Sequence, residues 1–195
     1  MTTIARRSAL GTTALLALAL AGCSERKGGP VAASTTKGST RSEIDAEVDA
    51  ALASLHKTQP GTQQLARQAR AVLVFPSVTQ AGLGIGGLYG NGAMREGGRT
   101  VGYYNIAGGT LGLQAGAQSF SQAYFFNSAQ ALETFRKTLG FQLGADATLV
   151  AADFGADGAI TTSTLQKPVV VATWGQSGLM AGLTVEGSKI TEIHP

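Results

Sequence analysis

Glycine is the strongest constraint on what this chain can fold into. It fills 27 of 195 positions, about twice the ordinary ~7%. Much of it lies inside apolar, β-branched runs such as Val78–Tyr89. Glycine in a strand interior weakens the strand unless the chain must bend there or let another backbone approach closely. A strongly curved or barrel-like sheet is therefore expected. The glycines have no three-residue period, which excludes collagen, and a hydrophobic fraction of 44% excludes disorder throughout. Three segments resemble one another loosely, 80–88, 106–114 and 177–184. Their spacing is irregular, so no repeat architecture is inferred.

Helical signals flank these runs. Ser42 ahead of Glu43-Ile44-Asp45 reads as an N-cap. Ile44, Val48, Leu52 and Leu55 then form one apolar stripe, with acidic residues crowding the first turns, where the helix dipole favours them. A stop is expected before Pro60-Gly61, and a second short helix over 62–70. Ser128 reads as the N-cap of a third helix to Thr138, with Ala131, Leu132 and Phe135 on one face and Gly140 as its end. Strands are expected over 71–75 (closed by Pro76), 100–106, 110–117, 119–126, 145–151, 159–164, 169–174, 179–185 and 189–193. Turns are expected at Asn91-Gly92, Glu96-Gly97-Gly98 and Ala107-Gly108-Gly109. The fold class is α+β: a curved or barrel-like, predominantly antiparallel sheet with two N-terminal helices and one inserted helix.

The N-terminus has its own logic. Arg6 and Arg7 form a positive n-region, and Ser8–Leu20 is a small, apolar run too short to span a bilayer. Leu20-Ala21-Gly22-Cys23 follows. This ending resembles the lipobox of bacterial lipoproteins. The resemblance implies a signal peptide over 1–22, diacylglycerol on the Cys23 thiol and an acyl chain (palmitate-type) on the new amine. Two or more chains anchor stably where one does so marginally. Ser24 stands where inner-membrane retention typically uses Asp, so the outer membrane is expected, facing either the periplasm or the exterior. Residues 23–40, rich in Gly, Ser, Thr and Lys, read as a flexible tether, leaving 41–195 as the folded domain.

Several chemistries are excluded or disfavoured. Cys23 is the sole cysteine and only His56 and His194 supply imidazole, so no metal centre, cofactor or His-based catalysis is expected. Arg6 and Arg7 account for two of 15 basic residues against 12 acidic ones. Without them the net charge is +1, with no global field to attract nucleic acid. Gly82-Leu-Gly-Ile-Gly-Gly87 satisfies a dinucleotide-binding spacing, yet no helix opens after it and Gly102 stands where an acidic residue is required. Asp153–Gly158 lacks the ligands of a calcium loop at Gly155 and Thr164 and reads as a turn. Gly175-Gln-Ser177-Gly178 is an incomplete nucleophile elbow. An enzyme would need Asp146 and Glu186 to converge; such residues more often satisfy backbone amides or a basic partner. Arg67 and Arg70, near Lys57, are either a solvated face or a small phosphate-binding cluster.

Ordered blocks carry a wider likeness. Ala69-Arg-Ala-Val-Leu-Val-Phe-Pro76 is followed by Ala81-Gly82 and Gly86-Gly87-Leu-Tyr-Gly90. Next come Tyr104–Gln118, Leu143–Ala147 and Ser177–Ser188. In this order they resemble the SYLF domain family across residues 60–191. The resemblance implies a lipid-binding module; eukaryotic members bind phosphoinositides and some engage actin. Arg70 falls where the family often has Lys, with Arg67 nearby. Phosphoinositides and actin are not expected in a bacterial envelope, so what carries over is phospholipid binding.

The expectation is thus a non-enzymatic envelope lipoprotein, anchored at Cys23, whose domain binds phospholipid with an anionic headgroup. Arg67 and Arg70 would pair with phosphate, and apolar groups around Phe75 and Tyr89 would meet the lipid. The rival is a structural or protein-interaction module of the envelope, with the covalent lipid as its sole membrane contact.

Overall fold

The computed structural model describes residues 39–138, 141–142, 150–151, 161–179 and 188–195. Helix α1 (Arg41–Thr58) starts one residue before the expected cap. Thr40, not Ser42, is the N-cap. Its hydroxyl accepts from the Glu43 amide, and the Glu43 carboxylate accepts from the Thr40 amide at 2.7 Å, a reciprocal capping box. Helix α2 (Gly61–Gln68) follows after Pro60.

Two very long strands dominate the domain. β1 (Ala71–Glu96) and β2 (Arg99–Phe126) form one antiparallel hairpin closed by Gly97 and Gly98, both at positive φ. The expected stop at Pro76 and the expected breaks at 91–92 and 107–109 are absent. Pro76 instead sits in a register shift between Phe75 and Val78, where a missing N–H costs no ladder bond, and its carbonyl accepts from the Ser121 hydroxyl at 2.7 Å.

The hairpin is folded in half, and two glycines show where. A Cβ on Gly92 would overlap the Val74 carbonyl oxygen, so β1 crosses closely over its own beginning. A Cβ on Gly82 would overlap the backbone of Gly86, which puts the bend at 82–86, midway between the crossing points. There the register also shifts, two residues of β1 (Leu83 to Ile85) spanning four of β2 (Leu111 to Ala115). This is the curvature that the glycine content demanded.

Helix α3 (Ala129–Lys137) begins at the expected Ser128 cap. β3 (Phe141–Gln142), β4 (Val150–Ala151), β5 (Val169–Leu179) and β6 (Lys189–Ile193) complete the sheet. The segment read as a strand over 159–164 contains instead one helical turn, α4 (Thr162–Leu165), capped by Thr161. β2 carries β1 on one edge, and β6 and β5 on successive halves of the other. The sheet runs β3-β6-β2-β5-β4 with β1 on β2. Every described pairing is antiparallel except β4 with β5. The α+β class holds, but the pairings among the described residues leave the sheet open and not closed as a barrel. Most of the strands expected over 145–151 and 179–185, the turn expected at 153–158 and the helix end expected at Gly140 lie outside the described residues.

Two cores result. One fills the fold of the hairpin with Leu73, Phe75, Val78, Leu88, Met94 and Tyr124, joined by Phe135 of α3. The other lies under α1 and α2, where Ile44, Val48, Leu55 and Leu65 pack on Val74 and Phe125.

Candidate functional site

The bend and the helical end of the domain differ sharply. No Asp, Glu, Lys, Arg or His occurs from Ala71 to Met94 or from Val101 to Phe126. Along β1 the residues alternate: Val78, Gln80, Leu88 and Gly90 are buried, whereas Ser77, Thr79, Ala81, Leu83, Ile85 and Tyr89 face solvent. A period of two is what a strand with one wet face requires. At the bend this outer face carries large apolar groups: Leu83 is 82% exposed and Ile85 74%, with Tyr89 at 59%. Opposite Ala81 and Gly87 lie only Ala117 and Gly109.

The helical end is charged and largely self-satisfied. Arg95, at the end of β1, donates from Nη2 to the Asp49 carboxylate at 2.8 Å and to the Asp45 carbonyl at 3.1 Å. It also donates to Thr100. The Asp45 carboxylate accepts from the Thr100 hydroxyl at 2.7 Å and from the Tyr103 hydroxyl at 2.9 Å. Arg41 lies over the Tyr103 ring. This cluster clamps α1 onto the hairpin.

The residues predicted from sequence fall in different places. Arg67, exposed on α2, lines a cleft of about 370 Å³ with His56, Arg95, Asp49, Leu52 and Val72. His56 Nδ1 lies 2.9 Å from the Thr62 hydroxyl. That hydroxyl gives its one proton to the Gln59 carbonyl at 2.6 Å, so Nδ1 is the donor and Nε2 carries the lone pair of the neutral ring. Burial, and then the Arg67 charge, lower the His56 pKa. Arg70 is exposed just ahead of β1 and does not line this cleft as Arg67 does. Neither guanidinium has an ion pair among the described residues.

Phe75 is a correction. It is fully buried and packs edge-on against Tyr124 at 6.0 Å between ring centroids, so it offers no face to a lipid. Tyr89 is exposed, beside a separate cleft of about 790 Å³ lined by Ser39, Arg41, Asn91, Asn105 and Pro195. The structure therefore brings together neither Arg67 with Tyr89 nor either of them with Phe75. Cys23, Asp146 and Glu186 lie outside the described residues. Gly82–Gly87 is the bend itself, followed by strand rather than helix. No group of three or more potential metal ligands occurs among the described residues. No helix among them is long and apolar enough to cross a membrane.

Leu83 and Ile85 are the exposed residues that sequence reasoning missed. Their signal was the odd-numbered alternation from Ser77 to Tyr89, hidden because the intervening glycines made the stretch read as uniformly apolar.

Taken together, the described residues form an α+β domain with an uncharged bend and a charged helical end. Residues 107–194 match the family model described as Ysc84: Las17-binding protein actin regulator. This is the SYLF family that the ordered glycine blocks resemble, and the similarity runs from the middle of β2 through β6. The match covers a little under half of the chain. The family description names binding and regulation, not a reaction. No curated protein matches the chain.

Proposed function

We infer that this protein is a non-enzymatic lipoprotein of the bacterial envelope, anchored through Cys23, whose SYLF-type domain binds membrane phospholipid. The outer membrane is the expected site. The observation that carries the reading is the long hairpin, uncharged from Ala71 to Met94 and from Val101 to Phe126, whose outer face exposes large apolar groups at the bend. Exposed apolar patches of this kind mark interaction surfaces, and a surface free of charge loses no ion hydration on entering a lipid interface. Arg67 and Arg70, exposed and without ion pairs among the described residues, add cationic groups that suit a phosphate headgroup.

Co-sedimentation tests it, using the chain from residue 23 onward with Cys23→Ser, so that no acyl group contributes. The reading expects the protein to pellet with phosphatidylglycerol-containing vesicles. Arg67→Ala/Arg70→Ala should weaken that binding at low salt. A protein that stays in the supernatant with every vesicle composition refutes phospholipid binding.

One observation favours a second reading, a protein-interaction module of the envelope: the matching family is described by a protein partner. Stable co-purification of one envelope protein, with no vesicle binding, would select it.

A further inference from the structure

We propose that the bend of the folded hairpin is a membrane-inserting wedge, with Leu83 and Ile85 entering the acyl region and Tyr89 at the headgroup level. This rests on the phospholipid reading above and names where on the domain the bilayer is met.

Several observations point to the bend. Leu83 and Ile85 are two of the four large apolar side chains that stand exposed among the described residues, and they are the most exposed. They lie two apart on one strand, so both side chains leave the same face. β1 from Ala71 to Met94 and β2 from Val101 to Phe126 hold no charged residue, so neither strand of the bend carries an ion to desolvate as the bend enters. A protein partner would ordinarily be read by a polar rim around an apolar centre, and this face supplies mainly Ala, Gly, Ser and Thr. Tyr89 adds an amphipathic ring of the kind that settles at a lipid–water boundary.

The Arg67 cleft lies elsewhere on the domain, lined by Val72, Arg95 and Gly97, about ten residues of strand from the bend. Arg67 and Arg70 would therefore add a salt-screened attraction to an anionic surface, while the bend makes the apolar contact.

The test uses the chain from residue 23 with Cys23→Ser, carrying Leu83→Cys or, as a control at the helical end, Gln63→Cys, each labelled with an environment-sensitive fluorophore. Vesicles of phosphatidylethanolamine and phosphatidylglycerol carry quenchers in their acyl chains. The wedge predicts a blue shift and strong quenching at position 83 and neither at 63. Leu83→Asp/Ile85→Asp should lower partitioning about 100-fold, about tenfold for each apolar side chain lost. Circular dichroism should show both variants folded, since both positions face solvent. If the parent binds vesicles while position 83 stays aqueous and the double variant partitions like the parent, the wedge is wrong and phospholipid binding stands. If the parent binds no vesicles, both readings fall. A solution dimer that the double variant dissolves assigns the patch to a second copy and also overturns the wedge.

Discussion

The two ends of the folded hairpin are made from the same two strands and could hardly differ more. At the helical end, Arg95, Asp45, Asp49, Thr100 and Tyr103 satisfy one another across 2.7–3.1 Å, and α1 and α2 cover the sheet. At the bend neither strand carries a charge to satisfy, no helix among the described residues covers the outer face, and Leu83 and Ile85 stand in solvent. An end that has matched most of its polar groups, Arg95 Nε excepted, is built for stability. An end that leaves large apolar groups uncovered departs from the economy of a folded surface, and such departures concentrate where proteins bind.

This contrast can be broken at several points. Gly92→Ala should have the largest effect, because the new Cβ would overlap the Val74 backbone where the strand crosses itself. The crossing would have to open, costing about 4 kcal/mol or more by analogy with severe core disruption, and thermal denaturation should find little folded protein. Phe75→Ala comes next. The ring fills the fold of the hairpin against Tyr124, and its loss should cost about 3–5 kcal/mol, measurable by urea unfolding. Both changes strike the crossing that joins the two ends, so they should harm stability and vesicle binding together.

Asp45→Ala sharpens the contrast by touching the helical end alone. It strips Thr100 and Tyr103 of their acceptor and leaves Arg95 with less compensation. A cost of about 2 kcal/mol is expected, with vesicle partitioning per folded molecule unchanged. His56 gives a pH signature at the same end. Its folded pKa is lowered from 6.5, so the unfolded chain takes up the proton first. Stability is therefore present above about pH 6.5 and falls as pH drops through that value towards the lower folded pKa. His56→Gln should flatten this part of the stability–pH curve. Leu83→Asp should have the smallest effect on stability, within about 0.5 kcal/mol, while it strips membrane binding. An equal loss of stability would mean that the bend is packed, not presented.

Much of the fold was legible. The apolar stripe of α1, the Ser128 cap of α3, the Gly97-Gly98 turn and the strands beginning at Ala71 and Val169 follow from local rules. The α1 cap was missed although Thr40-Arg-Ser-Glu43 contains the capping-box spacing, because Ser42 sits closer to the acidic run. The length of β1 and β2 was not legible. Pro76 and the glycine pairs carry the local chemistry of chain breaks, and only the partner strand, which absorbs them as register shifts and a self-crossing, shows that the strands continue. The candidate site was read less well. Phe75 was singled out for its aromatic ring, yet burial is set by which half of the hairpin folds over it, a tertiary fact. Arg67 and Tyr89 are both exposed, but that they line separate clefts emerges only from the fold.

The central claim is that the uncharged bend, more than the arginines, meets the membrane. The most direct measurement compares the parent, Leu83→Asp/Ile85→Asp and Arg67→Ala/Arg70→Ala in vesicle co-sedimentation at low and high salt. The account predicts that parent binding persists at high salt, where exposed charge pairs are screened, that the bend variant loses it at both salts, and that the arginine variant loses only a low-salt increment. Binding that vanishes at high salt and with the arginines, while the bend variant sediments like the parent, would contradict it.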